Sequence, residues 1–160
     1  MDAFEILNRE RSLFEQDIKS HAEQVAGAVE GGRFLVIGGA GSIGQAVSRE
    51  IFKRGPRSLH VVDINENNLV ELVRDIRSTL GYIEGDFRTF AIDCGSREFE
   101  ALLSGAGNYD YVLNLSALKH VRSERDPYTL MRLIKVNVLN AVAVFQKVRS
   151  VGCQKYFCVS

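Results

Sequence analysis

Apolar and polar positions follow two rhythms along this chain. Short apolar runs recur at Phe34–Ile37, Leu59–Val62, residues 88–92, Tyr111–Leu115 and Tyr156–Val159. Each is strand-length and predicts a strand of a buried, parallel sheet. Between them the apolar residues fall at helical spacing. Phe4, Leu7, Phe14, Ile18, Val25 and Val29 predict a helix over 3–30, stopped by Gly31-Gly32. Ala46, Val47, Ile51 and Phe52 predict a second, stopped by Gly55-Pro56. A third runs from Glu66 to Leu80, capped by Asn65, with Leu69, Leu72, Val73 and Ile76 as its stripe. Ser96 caps a short helix holding Phe99, Leu102 and Leu103, and a long helix covers 127–150.

Strands alternating with helices predict an α/β fold with a doubly wound parallel sheet, a Rossmann domain. Right-handed crossovers with a glycine turn at the switch point give the strand order 3-2-1-4-5. The expected organisation is a helical leader over 1–32 and a nucleotide-binding domain over 33–160. The leader is not needed by a βαβ unit. It either packs on the domain or binds a second subunit, and both readings stand.

The chemistry sits where the first rhythm changes into the second. Gly38-Gly39-Ala40-Gly41-Ser42-Ile43-Gly44 follows the first strand and opens a helix, and the second strand ends on Asp63. Strand, glycine turn, helix, strand and acid are the ordered parts of a dinucleotide site. Side chains at Gly38 and Gly41 would obstruct a pyrophosphate approaching the backbone. The helix N-terminus at Ser42, Ile43 and Gly44 offers free N–H groups to phosphate. Asp63 stands 19 residues after Gly44, the offset of an acid that accepts from the adenosine ribose hydroxyls. The glycines permit two registers, Gly39-Gly41-Gly44 or Gly38-Gly41-Gly44; the second is favoured because Gly38 directly follows the strand.

Asp63 would repel a 2′-phosphate, so NAD is favoured over NADP, although Asn65, Arg74 and Arg77 are close enough in sequence to rearrange around one. Ligands in such sheets cross the carboxyl ends of the strands, which adds Asp93, Cys94, Leu115, Ser116 and Ala117. Asp93 either accepts from the adenine amino group or caps a helix. Ser116-Ala117 either floors a nicotinamide ribose or is a plain turn. Lys119-His120 reads best as a solvated pair, and His60 as structural.

Composition narrows the class. The chain has 160 residues, 46% hydrophobic and 25% charged, with formal net charge +0, which fits one globular domain and gives no electrostatic case for nucleic acid or an anionic membrane. Cys94, Cys153 and Cys158 have neither metal nor disulfide-scaffold spacing, and neither His21 nor His60 belongs to a metal motif. The charged N-terminus is unlike a signal peptide, and no apolar run approaches the ~20 residues of a membrane span. The expected compartment is the cytoplasm.

These residues together resemble an extended short-chain dehydrogenase/reductase, and more closely the polysaccharide-biosynthesis nucleotide-sugar 4,6-dehydratases and epimerases. Leu7-Asn8-Arg9-Glu10, the glycine turn, Asp63–Leu69, and Ala117–Val121 followed by Asn137-Val138-Leu139 carry the likeness. The resemblance implies an NAD(P) cofactor and a nucleotide-sugar substrate in the complete enzyme; a homo-oligomer is also expected. It implies adenine contact at Asp93-Cys94 and nicotinamide-ribose contact at Leu115-Ser116-Ala117. Lys119 matches a lysine near the active-site cleft, and Asn137 an asparagine that is either structural or part of the site. Ile37, Ala40 and Asn114 depart from the family's usual Thr, Gly and His. The family's catalytic Ser/Thr ends the fifth strand, and a Tyr- or Met-x-x-x-Lys pair follows on the next helix. The sequence stops at Ser160, about one residue before the first, and none of its five tyrosines has Lys four residues on. Met131 and Lys135 have the spacing but precede strand five. The expectation is therefore the cofactor-binding part of such an enzyme without its catalytic segment, or else a non-catalytic dinucleotide-binding module.

Overall fold

A computed structural model of the chain describes residues 13–119 and 126–159. Five strands, β1 (Arg33–Ile37), β2 (Ser58–Asp63), β3 (Asp86–Ala91), β4 (Tyr111–Asn114) and β5 (Lys155–Cys158), form one parallel sheet in the order β3-β2-β1-β4-β5. That is the order expected. Helix α1 (Glu15–Glu30) precedes the sheet; α2 (Ser42–Phe52), α3 (Glu66–Leu80) and α4 (Arg97–Gly105) connect the strands.

The two-residue period of β1 makes the layers. Phe34 and Val36 face one side, with Val61, Phe52, Leu69, Leu72 and Ile76. Leu35 and Ile37 face the other, with Val62, Phe99, Val112, Val144 and Val148. Among the buried polar residues, His60 is held between two partners. Its Nδ1 lies 2.7 Å from the Tyr109 hydroxyl and its Nε2 3.1 Å from Asp86. Burial pushes the Tyr109 hydroxyl up to about 12, so it stays neutral, and the Asp86 carboxylate, which only accepts, takes the Nε2–H of His60. The structural reading of His60 fits this.

Several boundaries shift. β3 begins at Asp86 rather than Arg88 because Phe87 pairs with Leu59 and sets its ring 5.1 Å from Phe52, which anchors the strand earlier. β4 stops at Asn114, one residue before Leu115, and β5 lies one residue earlier than expected, since Lys155 pairs with Tyr111. The helix over 127–150 is not uniform: α5 (Pro127–Ile134) and α6 (Ala141–Ser150) are joined by a π-helical turn, Lys135–Asn140. At 24 residues this is, among the described residues, one stretch long and apolar enough to cross a membrane by length and composition. It is not an unbroken apolar run, because Arg132, Lys135 and Lys147 interrupt it. Val144 and Val148 pack on the sheet, with Asn140 the other buried residue, and most of its length is exposed.

The leader splits from its expectation as well. Residues 1–12 lie outside the described residues. Of α1, Val29 is buried, while Phe14, Ile18 and Val25 are exposed. Only its last turn joins the domain core.

Candidate functional site

The carboxyl ends of β1, β2, β3 and β4 open into one cleft of about 570 Å³, within the size range of small-molecule sites. Its centre is the glycine turn. Gly38 has φ +73, and a Cβ there would lie 2.6 Å from the Ser116 nitrogen. Its N–H bonds to Val62 O at 2.8 Å, which fastens the turn to β2. Gly41 caps α2 with no side-chain bond. A Cβ on Gly41 would meet nothing nearer than the Gly38 carbonyl at 3.6 Å, so the space it leaves opens toward the cleft. A Cβ on Gly44 would overlap that same carbonyl oxygen. Gly44 therefore serves the contact between helix and turn rather than between helix and sheet, and the favoured Gly38-Gly41-Gly44 register fits these three roles. Among the described residues, the N–H groups of Ser42, Ile43 and Gly44 have no acceptor. Ser42 and Ile43 keep their side chains exposed, away from the cleft wall; what they offer is backbone.

Asp63 does two things. Its Oδ2 accepts from the Ala40 N–H at 3.0 Å and its Oδ1 from the Asn65 N–H at 2.9 Å. The carboxylate thus ties the glycine turn to the end of β2 and still lines the cleft with its remaining lone pairs. Asn65 is a helix cap, accepting from the Asn68 N–H at 3.0 Å, and Asn68 rather than Asn65 lines the cleft. Arg74 pairs with Glu71, and Arg77 stacks 4.0 Å over the Tyr82 ring; neither lines the cleft.

Asp93 and Cys94 line the wall beyond Asp63, and Leu115, Ser116 and Ala117 line the opposite side. Asp93 also accepts from the Gly95 N–H at 2.8 Å. The Cys94 thiol lies 4.0 Å from the Ser116 hydroxyl, and burial pushes its pKa up, so it is a packing thiol and not a nucleophile. Ser116 is held from below: its hydroxyl donates to Asn114 Oδ1 at 2.6 Å, and Asn114 Nδ2 donates to the Tyr156 hydroxyl at 3.0 Å. Asn137 stays out of the cleft wall. It donates to Leu118 O and accepts from Leu118 N–H, both at 2.8 Å, clamping the loop after β4. Lys119 is exposed and outside the cleft lining, and His120 lies outside the described residues.

The cleft therefore joins the glycine turn and its helix N-terminus, an acid on the adjacent strand bonded to that turn, and Ser116-Ala117 on the opposite side. This arrangement suits an elongated ligand with a central anion. The sequence profile of the family described as "Polysaccharide biosynthesis protein" matches residues 34–160.

The chain belongs to the polysaccharide biosynthesis protein family.

It is also 30% identical over 127 residues, 79% of its length, to an uncharacterized membrane protein of Methanocaldococcus jannaschii, covering 35% of that protein. Among solved structures, it is similar to Pen from Bacillus thuringiensis, with TM-score 0.68, 22% identity, 80% of this chain and 37% of that one covered. It is likewise similar to UDP-glucose-4-epimerase from Stenotrophomonas maltophila, crystallised with bound NAD and formylated UDP-arabinopyranose, with TM-score 0.63, 25% identity, and 79% and 36% covered. These likenesses identify the extended short-chain dehydrogenase/reductase fold. The chain spans about a third of each of these proteins.

The site of this polysaccharide biosynthesis family member also contains residues the sequence reading passed over. Arg132, Lys135, Val136 and Asn140 line the cleft from the long helix. Arg132, Val136 and Asn140 recur every four residues on a helix whose other face is apolar, and that spacing was the available signal.

Proposed function

We propose that this chain is the dinucleotide-binding part of a nucleotide-sugar 4,6-dehydratase or epimerase of polysaccharide biosynthesis, and that it binds NAD⁺ in preference to NADP⁺. The observation that carries the reading is the set of Ser42, Ile43 and Gly44 amides, without acceptors among the described residues, directly after cleft-lining Gly41, with Asp63 tied to the same turn through the Ala40 N–H. The amides hold the pyrophosphate at the positive end of α2. Asp63 accepts from the adenosine ribose hydroxyls and repels a 2′-phosphate. Arg74 and Arg77, engaged elsewhere, do not offset that repulsion. Ser116, oriented through Asn114 and Tyr156, and Ala117 floor the nicotinamide ribose. The cofactor supplies a hydride acceptor and donor; this chain binds and orients it. The epimerase similar to this chain was crystallised with NAD and a nucleotide sugar, which supports the substrate class.

Two further readings enter as proposals. A homo-oligomer is supported by the exposed apolar residues Val138, Leu139, Val142 and Phe145 on the long helix and Phe157 on edge strand β5. A cytoplasmic compartment is supported by the free thiols Cys94, Cys153 and Cys158.

Gly41→Val tests the site. Gly41 has φ −73 and an open Cβ direction, so valine fits the backbone and costs the fold only about 1 kcal/mol as a poor cap. Its branches fill the pyrophosphate position. Losing two charge-assisted bonds of ~1.5–3 kcal/mol each weakens NAD⁺ by roughly 100-fold or more. Wild-type affinity in this variant would place the ligand elsewhere.

A further inference from the structure

We propose that Asn140 is a recognition residue for the adenine ring of the dinucleotide, an inference that rests on the reading of the cleft given above. Asn140 ends the π-helical turn Lys135–Asn140. Such turns break the regular ladder, re-aim the side chains they carry, and occur frequently at functional sites. The Asn140 side chain is only 8% exposed and lines the cleft. Among the described residues, neither its Oδ1 nor its Nδ2 has a hydrogen-bond partner. The contrast with its neighbours is direct. Asn137, on the same turn, spends both polar atoms on Leu118, and Asn114 spends both on Ser116 and Tyr156. Among the described residues, the buried side-chain atoms left without a partner are Ser48 Oγ and Ser58 Oγ; the Asn140 carboxamide is not among them, and it lines the ligand cavity with its donor and acceptor available.

Its place in the cleft names the part of the ligand. The glycine turn at the end of β1 takes the pyrophosphate and Asp63 at the end of β2 takes the ribose, so the base lies outward, at the end of β3. Asn140 stands there. A Cβ on Gly95, two residues after Asp93, would lie 2.7 Å from Asn140 Oδ1 and Cγ; the glycine leaves the room in which the carboxamide sits. Ile64, Ile92 and Val136 line the same cleft and give a flat ring apolar surface. A carboxamide carries an acceptor and a donor side by side. Adenine presents the complement, the 6-amino donor beside the N7 acceptor, and asparagine pairs with that edge in two bonds. Hypoxanthine replaces the amino group with oxygen and presents two acceptors there, which one carboxamide cannot match.

The test titrates the 160-residue chain, its Asn140→Ala and its Asn140→Asp variants with NAD⁺ and with nicotinamide hypoxanthine dinucleotide. Asn140→Ala weakens NAD⁺ about tenfold and changes the hypoxanthine analogue by no more than about twofold, so the preference for adenine falls. Asn140→Asp keeps the volume beside Gly95 and removes the donor; it gives the same loss even if the alanine variant folds poorly, and a thermal melt of each variant separates the two effects. Unchanged NAD⁺ affinity, or an unchanged adenine preference in the aspartate variant, overturns the assignment while leaving the cofactor reading intact. If the wild-type chain binds neither dinucleotide, the cofactor reading falls and this inference with it.

Discussion

Gly44→Ala is expected to destabilise the fold by about 3 kcal/mol, the upper end for overpacking a buried site. The added methyl would overlap the Gly38 carbonyl oxygen and lie 2.5 Å from the Gly39 Cα. Both are backbone atoms and neither can yield. Gly38 is fixed by its positive φ and by its bond to Val62 O. Gly39 is packed so closely on Val61 that it too has no room for a Cβ. The only relief is for α2 to move off the turn, which would open the contacts of Ile51 and Phe52 with the core. For a chain of this size the melting temperature falls by about 6–12 °C. Gly41→Ala, three residues earlier, is the control: its Cβ meets Gly38 O at an ordinary 3.6 Å, so it melts near wild type. Thermal unfolding of both variants decides the point. A Gly44→Ala chain as stable as wild type would show that the helix does not sit this close to the turn.

The second large effect is an expected result: residues 1–160 alone turn over no nucleotide sugar. Oxidising a sugar at C4 needs a base to take the hydroxyl proton as hydride leaves. Without one the step loses roughly 10²–10⁴-fold, and a sugar that is not positioned loses several kcal/mol more. None of the five tyrosines has the Tyr-x-x-x-Lys spacing. Lys119 is exposed and outside the cleft lining, so it is not placed to meet a hydroxyl held there. Residues 1–160 incubated with a UDP-sugar and NAD⁺ are therefore expected to yield no 4-keto product above background. Turnover that disappears in Lys119→Ala would make Lys119 the base and the chain an enzyme in itself. The rival reading, a non-catalytic module, also predicts no product, and it is separated by adding the partner two-thirds of a full-length relative in trans: restored turnover favours the enzyme part.

Much of this was legible in the residues because each signal had one physical meaning. Unbroken apolar runs at β1 and β2 required strands buried on both faces, and the glycine turn between them fixed the switch point and so the strand order. Gly38, Asp63, Asp93, Ser116 and Ala117 fell into one cleft because parallel strands bring their carboxyl ends together. What the residues did not show were features set by neighbours far along the chain. The register that makes β3 start at Asp86 depends on Phe87 meeting Phe52 across the fold. The π-helical turn is invisible to a 3.6-residue pattern, and with it went Asn140 and the clamp of Asn137 on Leu118. Asn65 read both as a cap and as a residue able to rearrange around a 2′-phosphate; the structure gives its carboxamide oxygen to Asn68 as a cap. Likewise Asn114, read as a departure from the family, supports Ser116 from beneath.

The central claim is that the cleft takes NAD through the turn amides and Asp63. Its most direct test is a calorimetric titration of the wild-type chain with NAD⁺ and with NADP⁺. Repulsion between Asp63 and a 2′-phosphate, with Arg74 paired to Glu71 and Arg77 stacked on Tyr82, predicts saturable binding of both at one site and NAD⁺ tighter by about tenfold, equivalent to about 1.4 kcal/mol. Absence of binding, or NADP⁺ bound as tightly as NAD⁺ or more so, would contradict it.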